Sequence, residues 1–597
     1  MTYFSPNKSV KNYRWKINSY DDKKAIAIKQ KFGFTEVLSK LLVMKNIPTD
    51  DIEAYLEPKM RNVFTSKTMQ GILNLKDMQK GVDIIYDTIL NNEIIGIFGD
   101  YDVDGITSTS LLKNYFDLLK IRTEPYIPDR LKEGYGPNIE AFKTIKSKGA
   151  NTIITVDCGI NAFDVCDEAK KLGMKIVITD HHISAEKMPN ADAVINPNRI
   201  DENNEFKIIA GVGVAFLFIY SLQKKMRDND YFAKNKIVEP KLLHFLDLVA
   251  LGTICDVMPL TGINRAFVSQ GLKIIKEKVN IGIVALIENI DIVEEIDVYH
   301  LGFMIGPRLN ATGRVGESRL SSRILTTKNK NEAKKLAKEL DVHNKSRQEI
   351  EAKMLVEAFE IIEREKLNEK SIIFLENENW HEGIIGILAS RLKDKFEKPV
   401  FIATKLETHY KTSCRSIKGI DVGSVIMEMN KKNLLMGGGG HAMAGGFNFD
   451  LSKLNEIRDF VNEKLSQKTD DCIIAKEKNI DLQLECKSIT IALAKEINKL
   501  SPFGVGNYKP KIILKDVYVI KMMFFGKNND CLKILIGDKN GVKIENTLQA
   551  ICFRTTKDDL IYQVLLKNKK VNLLGEININ KYQGREILQF IVEDVMI

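Results

Sequence analysis

The segment Gly99–Ser108, GDYDVDGITS, sets three aspartates at alternate positions, Asp100, Asp102 and Asp104, directly after the apolar β-type run EIIGIF. Two further runs of this kind end in the same way. NTIITV (Asn151–Val156) leads into Asp157 of DCGI, and MKIVIT (Met174–Thr179) leads into Asp180, His181 and His182. A fourth acid, Asp256, follows the apolar stretch of LDLVALGTICDVMPL. Carboxylates gathered closely repel one another and must either protonate or be neutralised by cations. Carboxylate oxygens and imidazole, without thiolates, form a ligand set suited to Mn2+ or Mg2+ rather than to a structural zinc. Asp102, Asp104, Asp157, His181 and Asp256 would supply enough donors for two ions, with Asp157 the best placed to bridge them. Such a pair of ions activates water and stabilises the leaving oxygen of a phosphoester, so the expected chemistry is metal-dependent phosphoester hydrolysis.

Each element has a plainer reading when taken alone. A D-x-D after a strand is commonly a turn or a helix cap, and a His-His pair is commonly surface. Asp157 could serve a turn with Gly159, and Asp256 could cap a loop ahead of Pro259. Position outweighs these readings. Helix-length segments such as SLLKNYFDLLK separate the runs, which predicts a parallel α/β sheet. In open parallel sheets ligands bind beyond the carboxyl ends of the strands, and that edge is where the acids and histidines collect.

At 597 residues the chain exceeds a single core and reads as roughly three or four domains. Residues 1–70 are mixed and largely helical, without identifiable chemistry, and 71–325 hold the acid-bearing α/β unit. Residues 326–370 are lysine-rich, with an apolar stripe of Leu336, Leu340, Met354, Ala358, Ile361 and Ile362 interrupted near Asn344. One or two long helices joining two lobes are expected there. A second α/β unit occupies 371–467, and the short alternating strands of 468–597 predict a small β-barrel.

Hydrophobic content of 44% and charged content of 28% are ordinary for a soluble globular protein. The eight cysteines form no C-x-x-C pair, which argues against a zinc ribbon or disulfide scaffold and fits a reducing cytoplasm. No apolar run is long enough to cross a membrane, and the N-terminus has no apolar h-region, so no membrane association or secretion is expected. The net charge of +9 is weakly in favour of a polyanionic partner.

Anion binders are also visible. TSCRS offers Ser413, Arg415 and Ser416, a hydroxyl–guanidinium set for phosphate oxygens. The glycine run that contains Gly439 and Gly440, beside His441, would open backbone N–H groups to a phosphate, or would simply be a flexible loop. In the barrel, Tyr508, Phe524, Phe525 and Tyr582 could stack nucleobases, although core packing is the commoner use.

DYDVDG, VDCG, TDHH and LGTICDVMPL closely resemble the motifs of the DHH phosphoesterase superfamily and, within it, the RecJ family of single-strand-specific exonucleases. PDRLKEGYG, AGVGVAF, GPRLNATGR and WHEGIIGILASRL resemble further segments of that family, and GGGGHAMAGGF resembles the motif of its DHHA1 domain. The only departure is Gly445 where alanine is usual. The resemblance runs from Leu73 to Phe449 and continues more loosely through SPFGVGN into a barrel like the family's OB domain.

The fold it implies is α/β: a parallel-sheet DHH lobe and a DHHA1 lobe joined by long helices, plus a C-terminal OB-like barrel. It implies a two-metal site at Asp102, Asp104, Asp157, His181 and Asp256. His182 would contact the scissile phosphate and assist the leaving group, while Asp100 and Asp180 would stand behind the ligands and orient them. Arg130, Arg314, Ser413, Arg415 and His441 would recognise a terminal 5′ phosphate or the neighbouring backbone, with Gln348 a weaker candidate. Arg308 and Asn310 would be nucleotide contacts or braces between the lobes.

The implied activity is 5′-to-3′ degradation of single-stranded DNA to 5′-mononucleotides in repair and recombination, with a single-strand-binding protein or a helicase as candidate partners. The nearest alternative is a phosphodiesterase of the same superfamily acting on short RNA or cyclic dinucleotides, but such relatives generally lack a long third domain. The other is a non-catalytic DNA-binding replication scaffold, a class that tends to lose metal ligands; this chain keeps them all.

Overall fold

Strands buried at every position need helices on both faces, and the sequence supplies them. Ile95–Gly99 and Thr152–Val156 have no exposed residue. They form the centre of a five-stranded, all-parallel sheet ordered Thr123–Tyr126, Ile95–Gly99, Thr152–Val156, Lys175–Thr179 and Ala193–Ile195. Chain order reverses between the first two strands to form, Ile95–Gly99 and Thr123–Tyr126, and the next, Thr152–Val156. Winding therefore changes direction between Ile95–Gly99 and Thr152–Val156, which opens a crevice at their carboxyl ends.

The computed structural model describes residues 2–597 except 131, 135, 186, 293, 475, 527–528, 540–546 and 583–584; the side chains of 2, 470–474 and 581–582, Tyr582 among them, also lie outside the description. The apolar run before Asp256 is a helix, Leu246–Cys255, buried from Leu246 to Thr253. It is sandwiched between the helices Val103–Leu118 and Gly262–Lys276, so no polar face marks its period.

One helix of 35 residues, Lys330–Arg364, joins the lobes, a span of about 52 Å at 1.5 Å per residue. Its N-terminal half contributes Ala333, Leu336, Ala337 and Leu340 to the first lobe's core. Its C-terminal half contributes Met354, Ala358 and Ile362 to the second lobe. The interruption of the stripe is a buried polar cluster: Arg347 donates to Glu351 at 2.5 Å and to Asn344 at 3.2 Å, and Arg391 reaches Glu351 at 2.8 Å. The second lobe is a mixed sheet ordered Gly437–His441, Ala444–Asp450, His409–Arg415, Val400–Lys405 and Ile373–Glu376.

The C-terminal sheet closes on itself where Ile512–Phe525 pairs with Lys570–Tyr582, making a barrel. The N-terminal segment belongs to it. Arg14–Ile17 pairs in parallel with Glu477–Ile480, and Ile28, Leu38, Leu41, Leu42 and Ile52 share one core with the barrel strands. Of the aromatics considered for stacking, Phe524 packs on Tyr562 with ring centroids 5.0 Å apart, whereas Tyr508 is 66% exposed. Among the described residues no helix is long and apolar enough to cross a membrane.

Trp15 is fully buried with Ile480, Ile513, Leu574 and Met596, and its indole N–H donates to Asp594 at 3.2 Å. Trp15→Ala is expected to destabilise the barrel by roughly 3–5 kcal/mol. Calorimetry of the full chain should show the barrel transition moved down with the transitions of the two lobes unmoved.

Candidate metal centre

The acids converge at the crevice between Ile95–Gly99 and Thr152–Val156. Asp102 caps the helix Val103–Leu118, accepting from the amides of Asp104 and Gly105 at 3.0 and 3.2 Å. Asp104 lies in the first turn of that helix, and its carboxylate caps a different one. It accepts from Gly211 at 2.6 Å and Val212 at 2.9 Å, at the start of Gly211–Asp228, where the helix dipole favours an anion. Asp157 takes φ of 60°, a left-handed conformation that few residues other than glycine, asparagine and aspartate adopt. Asp256 caps the C-terminus of Leu246–Cys255.

His181 Nε2 stands 3.2 Å from Asp157, 3.6 Å from Asp256 and 3.8 Å from Asp104. Three overlapping sets have ligand atoms within 4.8 Å of one another: Asp104, His181 and Asp256; Asp100, Asp102 and Asp157; and Asp157, His181 and His182. Asp157 thus adjoins both carboxylate groups.

The donor set fits cations on the chain's own evidence. Asp100 Oδ1, Asp157 Oδ1, His181 Nε2 and Asp256 Oδ2 are buried atoms without a hydrogen-bond partner. Leaving such groups unsatisfied costs about 1–3 kcal/mol each. They lie together with no hydrogen bond between them, an arrangement a hard divalent cation satisfies. Burial, and then the neighbouring carboxylates, hold Asp157 and Asp100 well above the usual carboxylate range. Burial, with Asp104 and Asp102 next, pushes Asp256 up to about 9. Burial also lowers His181, keeping its imidazole neutral and able to ligate.

Asp100 was expected behind the ligands; its Oδ1 lies with Asp102 and Asp157 within ligand range, so it is a candidate ligand itself. Orientation falls to Asp180. Its Oδ1 accepts from the amides of His181 and His182 at 2.7 and 3.1 Å and makes a 2.8 Å bond with His182 Nδ1. Its Oδ2 accepts from Ile160 N at 2.9 Å. Burial alone would raise Asp180, but the hydrogen bond and charge of His182 outweigh it and keep the carboxylate ionised.

Sequence reasoning missed Asn196 and Asn198, which donate to the carbonyls of His182 and His181 at 2.9 and 2.6 Å. The signal was the triplet NPN after one more short apolar run, Ala193–Ile195. It also passed over Gly211 of AGVGVAF, where a methyl group would stand 2.7 Å from Asp157 Oδ1.

Three guanidinium groups gather near one another, Arg130 and Arg314 of the first lobe and Arg415 of the second, with Arg130 also close to Asp100. Burial, then Arg130, Arg347 and Arg415, push Arg314 down to about 9. Burial also lowers Arg415, with Arg130 adding to it. Arg314 and Arg415 donate to the carbonyls of Gly383 and Cys414 at 2.9 and 2.7 Å rather than to carboxylates, and Arg130 lies 5.0 Å above the Tyr101 ring. Ser413 and Arg415 sit on a strand packed against the helix Ile385–Phe396, whose N-terminus has no side-chain cap. Gly439, Gly440 and His441 form an exposed edge strand instead of a loop. His441 and, from the first lobe, Asp180, His182, Pro137 and Lys187 line one cleft of about 500 Å³.

Of four further candidates, two are otherwise engaged. Arg308 pairs with Asp341 at 2.8 Å and donates to Met304 O at 2.7 Å, so it braces the long helix. Ser416 is buried and donates to Ile420 O at 2.7 Å. Gln348 is exposed, while its neighbour Arg347 takes the buried place that sequence reasoning did not assign. Asn310 is half-buried on the helix that carries Arg308 and Arg314.

Mn2+ is expected to raise the melting temperature, by about 2.7 kcal/mol of stability at a hundredfold excess over Kd, and a chelator to reverse it. Asn tolerates the left-handed conformation as Asp does, so Asp157→Asn removes only charge. Thermal denaturation of that variant should show a higher melting temperature than the metal-free parent and no response to Mn2+.

Comparisons with known proteins agree with this geometry. The DHH family N-terminal domain matches residues 94–253, the DHHA1 domain 369–467 and the RecJ OB domain 480–594. The single-stranded-DNA-specific exonuclease RecJ of Bacillus subtilis is 31% identical over 98% of this chain and 71% of its own length. RecJ of Escherichia coli is 31% identical over 92% of this chain and 97% of its own. RecJ of Thermus thermophilus, crystallised with Mn2+, has the same fold, with a TM-score of 0.76 at 24% identity over 98% of this chain and 79% of that one. An exonuclease RecJ bound to manganese superposes with a TM-score of 0.55 at 31% identity, over 66% of this chain and 95% of its own. Matched along almost its whole length and in each of its three domains, the chain belongs to the RecJ family.

Proposed function

We propose that this protein is a Mn2+- or Mg2+-dependent exonuclease that degrades single-stranded DNA from the 5′ end to 5′-mononucleotides, in the cytoplasm, in DNA repair and recombination. The observation that carries this reading is a buried cluster of acids and His181 left without donors, with Arg314 of the same lobe and Arg415 of the second lobe close to one another and His182 and His441 lining one cleft. The names of the relatives, single-stranded-DNA-specific exonucleases, support the substrate. A single-strand-binding protein or a helicase is the kind of partner that would deliver such a strand.

Two divalent ions held by Asp100, Asp102, Asp104, Asp157, His181 and Asp256 would supply charge neutralisation, an activated water and stabilisation of the leaving oxygen. The chain's own residues do the rest. Arg314, Arg415 and Ser413, with Arg130 beside them, bind the terminal 5′ phosphate by charge-assisted hydrogen bonds. This places the next phosphorus, one nucleotide along, at the acid cluster. Water attacks that phosphorus and the bond to the 3′ oxygen of the terminal nucleotide breaks. The shortened strand then carries a new 5′ phosphate, which the same guanidinium groups can bind.

His182 supplies the proton. Burial lowers its imidazole, but the hydrogen bond and charge of Asp180 outweigh burial and raise it to about 9 in the metal-free chain. With Nδ1 committed to Asp180, Nε2 is the atom that donates to the departing 3′ oxygen. A cleft lined by the first lobe and closed by His441 of the second would admit one strand and not a duplex.

The test uses single-stranded DNA, blunt duplex, short RNA and a cyclic dinucleotide, each end-labelled where it has ends, with Mn2+ or chelator. Single-stranded DNA should lose its 5′ label first, and only with metal. Asp104→Ala should lower kcat by at least about a thousandfold, a loss of roughly 4 kcal/mol in transition-state stabilisation. Arg415→Ala should raise KM for 5′-phosphorylated strands and erase their advantage over 5′-hydroxyl strands. Release of the 3′ label first, or equal cutting of the duplex, would sink the reading.

A further inference from the structure

Among the acids of the cluster, Asp256 is the one whose place depends on the chain that follows it. Asp104 is fixed by two amides of another helix, and His181 by Asp180 and Asn198. Asp256 is the last residue of its helix, with its side chain 25% exposed against 6% or less for Asp104, Asp157 and His181. Its Oδ2 has no hydrogen-bond partner. The next residue, Val257, has φ of 60° and is exposed. The helix end holds the backbone of Asp256, through its amide on Gly252 O and those of Val257 and Met258 on Ile254 O and Thr253 O, and the turn Asp256–Leu260 holds it from the other side.

That turn is gripped from two sides. From the same lobe, Asn264 donates to Pro259 O at 3.0 Å and to Ile208 O at 2.6 Å. From the barrel, Val505 O accepts from Leu260 N at 2.7 Å. Val505 lies in SPFGVGN, Ser501–Asn507, whose two glycines permit the approach: a methyl on Gly504 would stand 2.8 Å from Leu260 Cδ1, and one on Gly506 3.0 Å from Pro259 Cβ.

The gripping segment is itself locked. Asn507 is 2% exposed and uses its full side-chain capacity. It donates to Leu500 O and Pro502 O at 2.8 and 2.7 Å, and it accepts from Lys45 Nζ and the Tyr55 hydroxyl at 2.7 and 2.8 Å. Arg265, a buried residue of the first lobe, donates to Tyr55 O at 2.9 Å, Ser501 O at 2.7 Å and Pro502 O at 3.3 Å, and lies 4.1 Å over the Tyr55 ring. The N-terminal helices, the first lobe and the entry to the barrel meet at this one point.

We propose that Ser501–Asn507, held by Asn507 and Arg265, is a positioning element for Asp256, so that the barrel unit helps to build the metal centre as well as carrying the strand. This rests on the reading of the acid cluster as a metal centre. It assigns the SPFGVGN segment a task in cation binding that no contact with DNA would explain.

Isothermal titration of the full chain with Mn2+ tests it, using Asp256→Ala, Asn507→Ala and Gly506→Ala beside the parent, with single-stranded DNA binding followed separately by fluorescence anisotropy. Asp256→Ala should remove one binding event. Asn507→Ala and Gly506→Ala should weaken that same event by roughly 10- to 100-fold, as loss of an outer support of a metal ligand does. In both, kcat should fall at limiting Mn2+ and recover with excess Mn2+, with KM for the strand unchanged. Gly506→Ala removes no hydrogen-bonding group of Asn507 but presses a methyl on Pro259 at a left-handed backbone position, so it decides the matter where Asn507→Ala does not fold. If both variants bind Mn2+ as the parent does while Asp256→Ala loses a site, the positioning role is overturned and the metal centre stands. If Asp256→Ala titrates like the parent, both fall together.

Discussion

Repulsion among buried carboxylates is the constraint to which the other features of the chain answer. A parallel sheet delivers several strand ends to one edge, and at the change of winding direction those ends leave a crevice. Asp100, Asp102, Asp104 and Asp157 enter it together. The chain compensates part of this charge with backbone amides. Asp102 caps its own helix, and Asp104 caps Gly211–Asp228. The remainder is left bare, since Asp100 Oδ1, Asp157 Oδ1 and Asp256 Oδ2 meet no donor. The division between charge met by protein and charge left for cations is what makes the crevice a site.

Guanidinium groups carry the opposite imbalance, Arg130 and Arg314 on the acid-bearing lobe and Arg415 on the facing one. Burial and like-charge crowding lower Arg314, as burial and crowding raise the acids. Arg415 and the acids attract across the lobes, and a flexible link would let the lobes close on one another and fill the cleft. The helix Lys330–Arg364 prevents this because its two halves are anchored in different cores. Its midpoint, where a hydrophobic seam would be expected, is fixed instead by the Arg347–Glu351 pair and Asn344. Removing either partner of such a buried pair leaves an uncompensated charge, so the polar midpoint holds the spacing of the lobes as firmly as an apolar one.

Where chemistry and strand ends coincide, the sequence was legible. Asp102, Asp104, Asp157 and His181 each follow a run whose apolar character requires a buried strand, and the edge of a parallel sheet does the rest. Asp256 was legible as an acid after an apolar run, although that run is a helix without a polar face. The place of Asp100 among the acids was not legible, because alternation along a strand says nothing of how the chain turns after it. Arg308 and Ser416 carry the right functional groups for phosphate, but Asp341 and Ile420 O claim them, and neither partner is near in pattern space. The N-terminal segment was opaque for a similar reason. Its helices show an apolar face, but the surface that covers it, the barrel, lies more than 400 residues away.

That distant pairing bears on function. A barrel tethered only by its linker would sample many orientations, and a strand bound to it would reach the cleft in no fixed register. Here both ends of the chain build the barrel unit, and it touches both lobes: Tyr13 and Lys476 meet Glu397 of the second lobe, and Ser501–Asn507 meets Arg265 and Leu260 of the first. The second of these contacts is four residues from Asp256. Any strand carried on the barrel therefore lies in a frame of reference that includes a ligand of the metal centre, and the distance from the held strand to the reacting phosphorus is set by the fold itself.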